Sequence, residues 1–119
     1  AYATRWIYSN KACTAHIYLE FQNYSRSESD LPPLPGTWDY KGGKAWINGE
    51  EIMPPVWQNT NKERLLELPL RNENCVSRQA VDISLRKGWN KLVLKLPVGR
   101  FSSSEVRLVK WMFSATVEQ

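Results

Sequence analysis

Hydrolytic chemistry needs an acid and a base or nucleophile held across a cleft, and this chain offers few residues for it. His16 is its single histidine and stands among Tyr18 and Glu20 on the polar side of an alternating run, where it reads as a surface strand residue. A general base sits in a cleft with a partner that orients it. Neighbouring carboxylates occur as Glu50-Glu51 and as Glu28 with Asp30. Adjacent residues of a strand point to opposite faces, so Glu50 and Glu51 are badly placed to flank one glycosidic bond. No catalytic residue is assigned, and the chain reads as noncatalytic.

Sugar binding asks for something else: aromatic rings to cover the apolar faces of pyranoses, with amide, carboxylate or guanidinium groups beside them for the hydroxyls. Tyr24 with Arg26, and Trp38 and Tyr40 with Asp39, meet that requirement in one patternless stretch, and Trp57 follows further on. These six are the candidate carbohydrate-binding residues. For Trp46, Trp89 and Trp111, which fall on strands or at their starts, packing is the expected role. Asp30 and Asp39 alone are thin support for a structural calcium, so neither a metal site nor a cofactor is expected. Cys13 and Cys75 have neither the number nor the spacing for zinc. They could close one disulfide, but the apolar alternation around Cys13, and a chain long enough to do without a staple, favour buried thiols.

The elements that must hold these groups are strands. Residues 12–22 alternate without a break, with Cys13, Ala15, Ile17, Leu19 and Phe21 on one side and Thr14, His16, Tyr18, Glu20 and Gln22 on the other. Apolar residues recurring at i+2 exclude a helix. Residues 2–8 place Tyr2, Thr4, Trp6 and Tyr8 on one face, and 79–86 turn Val81, Ile83 and Leu85 inward. In KGWNKLVLKLP, residues 87–97, Leu92, Leu94 and Leu96 oppose Lys91, Val93 and Lys95, and Gly88 and Asn90 flank Trp89 as turn-forming residues that make Trp89 a seal at the strand's start. Asn48-Gly49 between short apolar segments predicts a hairpin with a type I′ turn, and Pro54-Pro55 a corner outside any central strand. Residues 23–44 are a long connection rich in serine, then proline, and are the first place to seek a ligand. The terminal run 106–117 has two apolar faces and is expected in the middle of a sheet or under another domain.

About eight strands and no helix predict one all-β domain over 1–119, a jelly-roll β-sandwich. A length of 119 residues is too short for a catalytic barrel of about 250 residues. No apolar run approaches the roughly 20 residues of a membrane span, so no membrane insertion is expected, and AYATRWIY at the start lacks the regions of a signal peptide. The net charge of +4 comes from basic residues scattered through the chain. Nucleic-acid binding would interleave them with stacking aromatics on one sheet face; they read instead as solvent faces of strands, and no nucleic-acid partner is expected.

Gly36, Trp38, Trp46-Ile47-Asn48, the PPVW run 54–57, the GWNK run 88–91 and the KWMF run 110–113 carry a resemblance. Across roughly residues 20–113 the chain resembles the C-terminal, galactose-binding-like β-sandwich domain of bacterial family 20 glycoside hydrolases, the β-N-acetylhexosaminidases or chitobiases. The looser pattern is similar to galactose-binding-like jelly rolls attached to many other glycosidases. The resemblance implies an accessory domain of a longer glycoside hydrolase, working in the periplasm or outside the cell on N-acetylhexosamine glycans. It would pack on the catalytic domain of the parent chain, bind carbohydrate weakly, or do both; a purely structural or protein-docking sandwich is the alternative. In that family the acid is a glutamate preceded by an aspartate in the barrel, and this chain contains no Asp-Glu dipeptide, so no catalytic role carries over.

Overall fold

A computed structural model describes residues 1–22, 36–38, 42–55, 79–97 and 112–119. Among them there is no helix, and two antiparallel sheets hold seven strands. The strands are β1 (Tyr2–Ser9), β2 (Cys13–Gln22), β3 (Lys44–Ile47), β4 (Glu50–Glu51), β5 (Val81–Leu85), β6 (Gly88–Lys95) and β7 (Met112–Glu118). One sheet has the order β1-β6-β3-β4 and the other β5-β2-β7.

The alternation read from the sequence decides what goes inside. Ala15, Ile17, Leu19 and Phe21 of β2 and Ile83 and Leu85 of β5 supply one wall of a single core. Leu92 and Leu94 of β6, with Leu96 just beyond it, and Ala45 and Ile47 of β3 supply the other. Ala3, Ile7 and Val117 pack at its margin. Two antiparallel sheets sharing one apolar interior and turning their other faces outward are compatible with a β-sandwich.

Asn48-Gly49 forms the expected tight turn, with φ of 50° and 84°, positive at both positions as a type I′ turn requires. The Asn48 side chain also extends the sheet: its Oδ1 accepts the Lys91 backbone N–H at 2.9 Å, while the Asn48 N–H donates to the Lys91 carbonyl at 2.9 Å. Gly88 has φ of 97°, a conformation that glycine adopts without steric cost. It lets the chain pass from β5 in one sheet to β6 in the other through Arg86 and Lys87 alone.

Asn90 holds that corner. It stands on the inward face and is fully buried; its Oδ1 accepts from the Arg86 N–H at 2.9 Å and from Asn48 Nδ2 at 2.8 Å. Its Nδ2 donates to the carbonyls of Arg86 at 2.9 Å and Gly88 at 3.1 Å. The Ile7 carbonyl of β1 lies 3.4 Å from the same nitrogen. A buried amide with all its capacity used ties β1, the hairpin and the start of β6 together.

One expectation needs correction. The final strand, β7, is at the edge of its sheet among the described residues, not in the middle, and its outward positions are Ser114, Thr116 and Glu118, opposite Glu20, Tyr18 and His16. The apolar parity anticipated there is supplied by Phe113, Ala115 and Val117, which continue the inward face of β2. Residues 106–111, including Trp111, lie outside the described residues. Cys13 is a half-buried free thiol, 3.7 Å from the buried Ser9 hydroxyl; Cys75 lies outside the described residues.

Candidate functional site

Of the residues expected to bind carbohydrate, Tyr24, Arg26, Asp39, Tyr40 and Trp57 lie outside the described residues. Trp38 is inside the core. It is only 4% exposed, its indole N–H donates to the Ile52 carbonyl at 3.0 Å, and its ring tilts against Phe21 with centroids 5.8 Å apart. The stacking role expected of Trp38 is corrected to packing, because core residues cover the ring a pyranose would need and the backbone satisfies its one polar group.

The exposed aromatics are elsewhere, on the outer face of the four-stranded sheet. With Leu92 and Leu94 turned in, strand geometry turns Trp89, Lys91, Val93 and Lys95 out. The antiparallel register then sets Tyr8 opposite Trp89, Trp6 opposite Lys91, Thr4 opposite Val93 and Tyr2 opposite Lys95. On the other flank of β6, Trp46 faces Val93 and Lys44 faces Lys95. Tyr2, Trp6, Tyr8 and Trp89 are 67%, 53%, 54% and 58% exposed, which makes them surface rings and not seals. Trp46 beside them is half-buried.

Trp89 was expected to seal the start of β6; it points outward instead, because its parity is that of the lysines. Asn90, its inward neighbour, closes the corner. Tyr8 and Trp89 meet edge to face, centroids 5.3 Å apart at 69°. Such a pair is worth about 0.5–1.5 kcal/mol beyond its area and holds both rings in place. The Lys91 ammonium lies 5.8 Å from the Trp6 ring centroid, within cation–π range.

The charges on this face also differ from the expected scatter. Lys44, Lys91 and Lys95 alternate with the aromatic positions, and Glu51 of β4, opposite Trp46, is the acid among them. Glu51 lies 3.8 Å from the Lys44 ammonium, both side chains about half exposed, an arrangement worth little in water. From Trp89 to Lys95 the face runs six residues, about 20 Å at 3.3 Å per residue.

The other sheet's outer face carries the single histidine. His16 Nδ1 and Asp82 Oδ1 are 2.6 Å apart across β2 and β5, with side chains 54% and 72% exposed. This is the surface strand residue expected: it stands in open solvent, not in a cleft. Glu118 is its register neighbour on β7. No group of three histidine, cysteine, aspartate or glutamate side chains able to hold a metal occurs among the described residues. No helix among them is long and apolar enough to cross a membrane.

A cleft of about 500 Å³ lies between β1, β6 and β7. Ala3, Ile7, Leu92, Leu94 and Phe113 line it, with Thr4, Arg5 and Ser114 as polar lining residues. It continues the core toward the β1 and β7 edges, and among the described residues it lacks the convergent polar groups that would orient a reacting molecule.

The aromatic face was within reach of sequence reasoning. The parity of the leucines in 92–96 already groups Trp89 with Lys91 and Lys95; what was missing was the pairing of β1 with β6 across some 80 residues of chain. Compared with protein-family models, curated proteins and solved structures, the chain matches none.

Proposed function

We propose that this chain is a noncatalytic accessory domain of a β-N-acetylhexosaminidase-like glycoside hydrolase, of the galactose-binding-like jelly-roll type, and that it binds carbohydrate through the outer face of its four-stranded sheet. The observation that carries the binding reading is the row of exposed rings Tyr2, Trp6, Tyr8 and Trp89. Four large aromatics on one sheet face expose more ring surface than packing calls for, and exposed apolar patches of this kind mark interaction sites. Ring faces in water gain by covering the C–H faces of pyranoses. Rigid strands hold them at fixed spacing, which lowers the ordering cost of binding.

The assignment to an accessory domain rests on the sequence resemblance, and the noncatalytic reading on the want of a convergent acid–base pair among the described residues. His16 and Asp82 are close enough for proton transfer, but they stand on an open strand surface with no cleft to hold a substrate against them.

The test is calorimetric titration of the whole chain with N-acetylglucosamine oligomers, repeated for Trp6→Ala and Trp89→Ala. Binding in the millimolar range or tighter, weakened about tenfold or more by either change while the fold is retained, is the expected result. Aromatic stacking of this kind is lost in about that proportion when the ring is removed. Unaltered binding in both variants would move the site off this face, and no binding at millimolar ligand would favour the protein-docking alternative.

A further inference from the structure

Resting on that reading of the same face, we infer that it prefers an acidic glycan, one bearing carboxylates or sulfates on some of its sugar units, over a neutral one. A neutral chain can use an ammonium between the rings only as a donor to its hydroxyls, whereas an anionic unit adds the stronger charge-assisted bond. Here Lys95 and Lys44 face each other beside Tyr2, and Lys91 stands against Trp6. Among the described residues three lysines share the face with the single acid Glu51, leaving these positions net positive over about 20 Å.

The lysines are also free to act. Lys44 touches Glu51 only at 3.8 Å, and an exposed pair at that range exchanges readily for a ligand anion. Lys91 is exposed and lies 5.8 Å from the Trp6 ring centroid, so a sugar stacked on that ring would bring a carboxylate within reach of the same ammonium.

The ratio of charge to rings separates this ligand from a nucleic acid. A single strand carries one phosphate for every base, and proteins that bind it line its path with a matching run of cations. Among the described residues five rings, Tyr2, Trp6, Tyr8, Trp46 and Trp89, with three lysines and one glutamate give two net charges for five ring positions. That suits a polymer charged on some of its units and not on all.

The experiment compares two length-matched oligosaccharides on the whole chain at low ionic strength: neutral N-acetylglucosamine oligomers, and hyaluronan oligomers in which N-acetylglucosamine alternates with glucuronate. An exposed ion pair contributes a factor of about two to five, so three predict a preference of at least about tenfold for hyaluronan. That preference should shrink as salt is raised toward 0.5 M, roughly where screening falls to a few ångströms. It should approach unity in the Lys44→Gln, Lys91→Gln, Lys95→Gln variant. The salt series needs no variant and stands even if that protein folds poorly. Equal affinities, or a preference for the neutral oligomer, would overturn the inference while leaving carbohydrate binding intact. Binding of neither would overturn both. Tighter binding of oligothymidylate than of hyaluronan would overturn it in favour of a nucleic acid.

Discussion

Replacing Asn90 with alanine should unfold the corner on which the candidate face depends. The side chain is fully buried and makes four hydrogen bonds between 2.8 and 3.1 Å, to the Arg86 N–H, the Asn48 amide and the carbonyls of Arg86 and Gly88. Each such bond contributes about 1 kcal/mol net, and a buried group left without a partner costs about 1–3 kcal/mol. Arg86 is an exposed residue and its backbone can recover water, so the four bonds are not all lost at full cost. A destabilisation of about 3 kcal/mol follows. For a domain of this size that lowers Tm by about 10 °C, at roughly 3–5 °C per kcal/mol. Circular dichroism through thermal and urea unfolding measures it. Asn90→Asp discriminates between lost volume and lost bonding: it fills the same space but presents oxygen where Nδ2 faces three carbonyls, so it should be at least as damaging near neutral pH. A loss below about 1 kcal/mol for alanine, or an aspartate variant as stable as the parent, would refute the claim that this amide network fixes the start of β6.

Other perturbations separate the core from the face. Trp38→Ala should cost about 3–5 kcal/mol, the range for deleting a large buried aromatic, whereas Trp6→Ala should change stability by no more than about 0.5 kcal/mol; chemical denaturation of the two side by side checks both. Gly88→Ala should cost about 1–2 kcal/mol through backbone strain alone, since φ is 97° and nothing lies within 4 Å of an added methyl group; an unchanged denaturation midpoint would count against that conformation. His16→Ala should move stability by less than about 0.5 kcal/mol, because its contact with Asp82 is solvent-exposed. A larger loss in thermal unfolding would mean that the pair is structural.

The fold was legible wherever a strand keeps one face for the core. Unbroken alternation over 13–21 specifies β2 and its buried side, and Asn48-Gly49 specifies a turn because two consecutive positive φ angles favour those residue types. Asn90 was readable as a turn residue, but its burial was not: only the crossing of Arg86 and Lys87 from one sheet to the other brings it beneath β1 and the hairpin. Trp38 misleads for a related reason. It stands in a patternless, proline-rich stretch, and local sequence cannot tell that Ile52 and Phe21 come to meet it. The outer face violates the simplest rule, apolar in and polar out. Tyr2, Trp6 and Tyr8 have the parity of a core stripe in a strand whose opposite positions, Ala3, Arg5 and Ile7, are scarcely more polar. The choice between the two faces of β1 is made by its partner, since register with β6 turns Ala3 and Ile7 toward Leu94 and Asn90 and the rings toward solvent. That contact is non-local and has no local signature.

The proposed glycan site is the aromatic face of the four-stranded sheet. Amide and indole chemical-shift mapping of the whole chain, titrated with N-acetylglucosamine and hyaluronan oligomers, tests it most directly. Saturable shifts are expected at the Trp6, Trp46 and Trp89 indoles and at the amides of β1 and β6, with the buried Trp38 indole unmoved. Shifts confined to residues off that face, or none with either ligand, would contradict it.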